Sequence, residues 1–435
     1  EDRTVEIPDT WDTIDWISRQ PWCSGRIKTV GGSGNGQPAA MGFWANHPKY
    51  VVNATGNTTG NTKYYWFYHN GVRRHTRSWI VHVGGKKAVT APRLPNTPYR
   101  PDRWRSFITK RAKDSTTWYS GSSGWFDPMV QGLIDDFAAL QDTGRAFITV
   151  SPTGHGGCSG FGRESLRFPV HRRTETPPGP DLGRIFMTGE EPQGTRSTMK
   201  YFLMGDIRDP EAPGNEWRYT HVWPVPHTAT PLYFHADGSL RRQKPEPAGT
   251  RRYRYDPRDP APTLGGHWTW AGTKSGPHDQ RPLRERKDVL YFVTPPLEQP
   301  LTVIGPIRAN LAFSTDVTDT GFVVKLVDIY PDGYEALLRE TAGMGRYWSG
   351  YDDSRPLEGG KVYELELDLW STANVFNEGH RIAVIVTGSS SDSYEVHPNT
   401  WEPVRGCADS PVATHVIHCS QAHGSHVLLP LVDDL

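Results

Sequence analysis

The feature that most constrains this chain is the run Gly31-Gly32-Ser33-Gly34-Asn35-Gly36, which follows a strand-like segment, Arg26 to Val30. Ahead of both lies an amphipathic stretch containing Trp16-Ile17-Ser18-Arg19 and a short turn at Gln20-Pro21-Trp22-Cys23. Helix, turn, strand and then a serine between glycines is the layout of a nucleophile elbow. In that layout a strand turns abruptly into a helix and leaves a hydroxyl exposed at the sheet end. Small residues are needed because the turn is strained and neighbouring backbone comes close, so a Cβ would collide. The spacing is Gly-x-Ser-x-x-Gly, looser than Gly-x-Ser-x-Gly, and alone it also reads as an ordinary turn.

Two later segments change that weighing. Thr117-Trp118-Tyr119-Ser120-Gly121-Ser122-Ser123-Gly124-Trp125-Phe126-Asp127-Pro128 starts apolar, runs into small residues and ends in a carboxylate. Ala146-Phe147-Ile148-Thr149-Val150-Ser151-Pro152-Thr153-Gly154-His155 is a buried-type strand followed by a turn with a histidine. Each places a polar group just past the C-terminal end of a predicted parallel strand, where open α/β sheets build their sites. Singly, Asp127 also reads as the N-cap of a helix from Met129 to Leu140, and His155 as a loop histidine. Together, Ser33, Asp127 and His155 follow the chain order of α/β-hydrolases, not that of the chymotrypsin or subtilisin types.

With these residues the chain resembles the family of cocaine esterase and X-Pro dipeptidyl peptidase, serine hydrolases that include α-amino-acid ester hydrolases and some cephalosporin acylases. The matching segments are Asp15-Trp16-Ile17, Gln20-Pro21-Trp22, Gly31-Gly32-Ser33, Trp66-Phe67-Tyr68, Gly124-Trp125-Phe126-Asp127 and Pro152 to His155. Further matches are Asp256-Pro257 to Gly265-Gly266 and Asp288-Val289-Leu290-Tyr291-Phe292, so the resemblance spans about Asp12 to Pro430. It implies Ser33 as nucleophile, His155 as general base and then acid, and Asp127 as the group that orients the histidine. It also implies an oxyanion hole whose first donor is the backbone N–H of Gly34. The family usually has tyrosine at that position, but a backbone donor survives the change. The second donor is implied to be a tyrosine hydroxyl from an upstream region that is not in this chain.

The chemistry of those roles is general. A serine hydroxyl attacks only as a base removes its proton, and the carboxylate fixes the imidazole tautomer and stabilises the imidazolium. Each preorganised oxyanion donor contributes roughly 2.7–4 kcal/mol.

The fold class expected is α/β plus all-β. Residues 1–60 and 114–199 form a partial α/β-hydrolase core with parallel strands at Arg26 to Val30, Tyr50 to Asn53, Thr116 to Ser120 and Ala146 to Val150. Several strands normally precede the nucleophile strand, and a half-sheet would expose an unpaired edge. The first residue is Glu1, and the expectation is that the N-terminal strands come from a second polypeptide or a cleaved upstream fragment that stays associated. Residues 60–113 read as a short cap insertion, aromatic at Tyr64-Tyr65-Trp66-Phe67-Tyr68 and rich in arginine from Arg93 to Arg111. Tyr64, Trp66, Phe67 and Trp125 are candidates to line a substrate pocket, although most such aromatics would equally form the insertion's own small core. A Pro/Gly-rich linker spans about Thr174 to Gly183.

From residue 200 to 435 the pattern turns to closely spaced strands. Lys361 to Trp370 alternates apolar and acidic residues as a half-buried strand should. Phe322 to Ile329, Arg381 to Val386 and His426 to Leu429 continue the series. This predicts a β-sandwich, which the resemblance makes the jelly-roll domain of the family.

Composition narrows the functional classes. The chain has 435 residues with 48 basic against 48 acidic side chains, which gives no reason to expect nucleic acid or an anionic membrane as partner. No apolar run approaches the roughly 20 residues of a membrane span. Cys23, Cys158, Cys407 and Cys419 show no Cys-x-x-Cys spacing. Cys407 and Cys419 could bridge two strand ends, and Cys23 and Cys158 flank the elbow and the histidine loop. A secreted or periplasmic location fits such bridges. Asn53-Ala54-Thr55 and Asn57-Thr58-Thr59 match the glycosylation pattern, but Asn53 belongs to a buried strand. His415, His418, His423 and His426 fit no zinc spacing and read as exposed strand and turn residues. No metal or cofactor is expected.

The function these residues point to is hydrolysis of an ester or amide of a small molecule through an acyl-enzyme. An aminopeptidase of X-Pro dipeptidyl-peptidase type is the runner-up. A binding or assembly protein that recognises its target through the sandwich is the alternative from another class.

Overall fold

A parallel sheet forms where short apolar strands alternate with helices. The computed structural model describes residues 6–61, 63–74, 101–157, 161–170, 179–267, 274–401 and 409–433. In chain order the first part contains α1 (Glu6–Ser18), β1 (Ile27–Gly32), α2 (Ser33–Ala45), β2 (Tyr50–Gly56) and a hairpin of β3 (Tyr68–His69) and β4 (Val72–Arg73). It continues with α3 (Pro101–Ala112), β5 (Trp118–Phe126), α4 (Val130–Leu140), β6 (Ala146–Gly154), α5 (Leu182–Thr188), β7 (Thr198–Leu203) and β8 (Glu216–Thr220). The sheet order is β1-β2-β5-β6-β7-β8, parallel up to β7, with β8 antiparallel. The strands therefore run past the boundary expected at residue 199, because β7 pairs with β6 and β8 with β7 rather than with the sandwich.

Helix α2 is a poor helix by propensity, with Gly34, Gly36 and Pro38 inside it. Burial holds it instead: Ala39 through Ala45 are buried, Phe43 and Trp44 meet edge to face at 4.8 Å, and Phe43 packs on Tyr119 of β5. Residues 60–113 do not form a separate cap where they are described. Helix α3 sinks Trp104, Ile108 and Ala112 into the same core as α2 and α4, and the β3–β4 hairpin is wedged into the sandwich, Val72 against Val323, Ala342 and Tyr394. Residues 75–100 lie outside the described residues.

The second part contains β9 (Thr228–Phe234), β10 (Leu240–Arg241), β11 (Gly249–Tyr255), β12 (Val289–Val293), β13 (Leu301–Thr315), β14 (Gly321–Ile329) and β15 (Glu335–Met344). It ends with β16 (Tyr363–Phe376), β17 (Arg381–Thr387), β18 (Ala413–Cys419) and β19 (His426–Val432). One sheet runs β10-β9-β19-β13-β18-β11 with β16 also on β13; the other runs β12-β17-β14-β15. Their inner faces share one core, with Phe234 stacked on Phe292 at 4.3 Å and Phe313 meeting Phe322 at a tilt at 4.5 Å. The alternation read in Lys361 to Trp370 is that of β16, whose first residues are alternately buried and exposed.

Three corrections concern single residues. Cys23 and Cys419 are free thiols, so neither suggested bridge forms; Cys158 and Cys407 lie outside the described residues. His415 is buried rather than exposed. It bonds Thr320 Oγ1 at 2.7 Å, and burial pushes it down to about 3.

The two parts meet along a polar seam. The backbone of Met204 bonds Ala373 and Val375 of β16, and Ser371 N–H donates to Gln131 of α4 at 2.9 Å. His69 stacks on Trp370 at 4.2 Å. Arg339 of β15 donates through Nη1 to the carbonyl of Trp125 in β5. His380 lies between Asp328 at 2.8 Å and Asp206 at 3.1 Å.

In the same part of the chain, Lys325 and Glu340 pair across β14 and β15 at 3.2 Å, both fully buried. Removing one partner leaves a buried charge uncompensated, whereas replacing both with apolar side chains does not. Glu340→Leu is expected to cost about 3–5 kcal/mol and to lower the thermal midpoint sharply. Lys325→Met combined with Glu340→Leu recovers most of that loss, as read by calorimetry.

Candidate active site

Parallel pairing sets where each strand stops. Gly32 of β1 faces Gly56 of β2, Gly56 faces Ser122 of β5, and Phe126 of β5 faces Gly154 of β6. The first residue beyond each of these four adjacent strands is polar: Ser33, Asn57, Asp127 and His155.

Ser33 opens α2 with φ 53°, a left-handed conformation that costs of order 1–3 kcal/mol and persists only where surroundings enforce it. The enforcement comes from close approach. A Cβ on Gly31 would lie 2.5 Å from the carbonyl oxygen of Asn35, so only glycine lets the helix fold back over the strand. Gly34 differs, because a Cβ there meets nothing within 4 Å. Its N–H lies in the first turn of α2, where backbone donors have no intrahelical partner and the helix dipole favours negative charge.

His155 Nε2 lies 2.8 Å from Ser33 Oγ, and its Nδ1 lies 3.0 Å from Asp127 Oδ2. Burial of the imidazole favours its neutral form, but the hydrogen bond and charge of Asp127 outweigh this and raise its pKa above the ordinary 6.5. The indole of Trp66 meets the same ring edge to face at 5.6 Å.

Asp127 is fully buried. Its Oδ1 accepts the N–H of Met129 at 2.7 Å, while Oδ2 accepts from both His155 and Asn57 Nδ2. Asp127 is not the N-cap of α4: Met129 holds that place without a side-chain cap bond, and Asp127 Oδ1 closes the turn just before it, leaving Oδ2 for the histidine. Just upstream, β5 and β6 come so close that a Cβ on Gly124 would fall 2.0 Å from the carbonyl oxygen of Thr153.

The pocket candidates separate. Trp66 packs with Phe67 and Met129 beside His155. Trp125 is fully buried and donates its indole N–H to the Phe202 carbonyl at 2.7 Å, which makes it core rather than pocket. The side chain of Tyr64 lies outside the described residues. Asn57 is the site residue that sequence reasoning passed over; it stands in a Gly/Asn/Thr run whose evident signal is a glycosylation pattern. Among the described residues no three His, Cys, Asp or Glu side chains converge as a metal ion would need.

The elbow, the parallel sheet and the Ser–His–Asp contacts define the class, an α/β-hydrolase-type fold carrying a serine–histidine–aspartate constellation. Residues 2–122 match the model of the X-Pro dipeptidyl-peptidase (S15) family, and residues 194–428 match that of the X-Pro dipeptidyl-peptidase C-terminal non-catalytic domain. The chain belongs to this family, together with cocaine esterase. It is 30% identical to the cocaine esterase of a Rhodococcus species over 353 residues, 77% of this chain and 60% of that protein, so it spans less than two thirds of that relative. An α-amino acid ester hydrolase structure superposes with a TM-score of 0.76 at 22% identity, covering 98% of this chain and 80% of the other. An aminopeptidase structure from a Thaumarchaeota archaeon gives 0.74 at 22% identity, with the same coverage.

Gly124→Ala is expected to force β5 and β6 apart, costing about 1–3 kcal/mol of stability. Because the two strands carry Asp127 and His155, labelling of Ser33 by a fluorophosphonate should slow at least tenfold in protein that remains folded by circular dichroism.

Proposed function

We propose that the chain is a serine hydrolase that cleaves an ester or amide of an uncharged small molecule through an acyl-enzyme on Ser33. The observation that carries this reading is the continuous contact from Ser33 Oγ through His155 to the buried Asp127. His155 Nε2 takes the Ser33 proton as Oγ attacks the acyl carbon. The developing oxyanion is met by the Gly34 N–H at the start of α2. His155 then returns the proton to the leaving group, and a water activated by the same imidazole releases the acid.

Trp66, Phe67 and Met129, clustered beside His155, support an apolar acyl group. This favours esterase or acylase chemistry over a dipeptidyl peptidase. The sandwich, read as a jelly roll, packs on the hydrolase sheet rather than acting as a separate recognition module. Among the described residues β1 pairs with β2 alone, and Val30, Trp16 and Trp22 are exposed. These features support a sheet completed by further polypeptide, which would bring the second oxyanion donor.

A fluorophosphonate should label wild type but neither Ser33→Ala nor His155→Ala, and p-nitrophenyl butyrate should be cleaved in preference to Gly-Pro-p-nitroanilide. Labelling that survives Ser33→Ala, or preference for the anilide, counts against the reading. The pH profile supplies a separate check. The base must be neutral to accept a proton, so turnover should fall as pH drops through a midpoint above 6.5. Asp127→Asn removes the influence that raises this midpoint and leaves burial, so the acid limb should move to lower pH while kcat falls by about 10⁴.

A further inference from the structure

We infer that Asn57 is a positioning residue of this site, acting on His155 through the Asp127 carboxylate. This rests on the hydrolase reading above and adds a fourth side chain to it. Three observations bear on the assignment. First, Asn57 Nδ2 donates to Asp127 Oδ2, the same oxygen that accepts His155 Nδ1 at 3.0 Å. A carboxylate only accepts, so the amide must present its nitrogen. Second, the backbone of Asn57 is fixed to the strand that delivers Asp127, its N–H donating to the Ser122 carbonyl at 2.7 Å. Third, Asn57 has φ 48°, a left-handed conformation that asparagine tolerates better than most residues.

The remaining oxygen, Oδ1, is occupied by the Met129 N–H. The carboxylate is therefore held at both ends, and Oδ2 shares its charge between an imidazole and an amide. Losing the amide has two consequences. The carboxylate can turn about its own axis, which loosens the imidazole that must meet Ser33. Its charge is also less neutralised, so it holds a proton on His155 more strongly. Burial and Asp127 are the influences on His155 among the described residues; the Trp66 ring against it is uncharged.

Asn57→Gly tests this cleanly, because glycine keeps the left-handed backbone and removes only the side chain. The expected result is a kcat reduced about tenfold to a hundredfold with KM within about twofold and the acid limb of kcat/KM moved up by about half a pH unit or more. Asn57→Asp, of the same shape but with an acceptor facing Asp127, should move the limb further up or abolish turnover. An unmoved limb overturns the proposal: with unchanged kcat Asn57 does nothing, and with reduced kcat and a lower thermal midpoint it is merely structural. A histidine-selective ¹⁵N NMR titration in the Ser33→Ala background reads His155 without any substrate. If His155 shifts with Asn57→Gly there while wild type hydrolyses nothing, the hydrolase reading fails and the positioning role stands. If wild type turns over and His155 does not shift, only the positioning role fails.

Discussion

The parallel register of four neighbouring strands is the constraint on which the rest of the site depends: β1 and β2 stop level with Ser122, and β5 and β6 run on to Phe126 and Gly154. Parallel hydrogen bonding fixes the relative translation of β1, β2, β5 and β6, and a slip of one residue would turn every side chain to the opposite face. The contacts of 2.8 and 3.0 Å at His155 tolerate no such slip. Two glycines sharpen the alignment where ordinary strand spacing would be too coarse: Gly31 lets a helix lie back on its own strand, and Gly124 lets β5 and β6 close up just before the carboxylate. The strain at Ser33 is sustained because the packing of α2 leaves that residue no alternative.

The sandwich contributes to this alignment from outside. Arg339 reaches from β15 to the carbonyl of Trp125, two residues before Asp127, and Trp125 in turn bonds to Phe202 of β7. The guanidinium is buried, and burial alone drives its pKa down to about 9, so the contact is made at a real desolvation cost. A domain whose family description is non-catalytic thus grips the strand that carries the carboxylate. The hairpin at residues 68–73 makes the reverse gesture, leaving the hydrolase part to pack among sandwich strands.

Much of this is legible in the chain itself, and the exceptions have physical reasons. Ser33, Asp127 and His155 stand out because each follows an apolar strand and sits among small or turn residues, a pattern that local chemistry enforces. β16 is legible because one of its faces is wet over its first half; β14 is buried throughout and shows only as an apolar run. The destinations of residues 60–113 are not legible. Aromatic residues record that a segment is buried but not against what, so Tyr65, which bonds Asp135, and Trp66, which faces His155, look alike in sequence. Asn57 is hidden for a related reason: an asparagine ending a strand resembles any turn residue until the neighbouring strand supplies its carboxylate. His415 looks exposed because it falls among polar strand and turn residues, yet β18 lies between β13 and β11 and buries it, with Thr320 meeting its Nε2.

The open space at Gly34 has a consequence for how such a chain can diversify. The residue beside the nucleophile supplies a main-chain group, and its Cβ direction is vacant. Side-chain identity at that position is therefore decoupled from folding, unlike at its neighbours Gly31 and Gly36. Natural drift or a laboratory library can explore it freely, placing new chemistry within reach of the reacting carbonyl while the scaffold stays as it is.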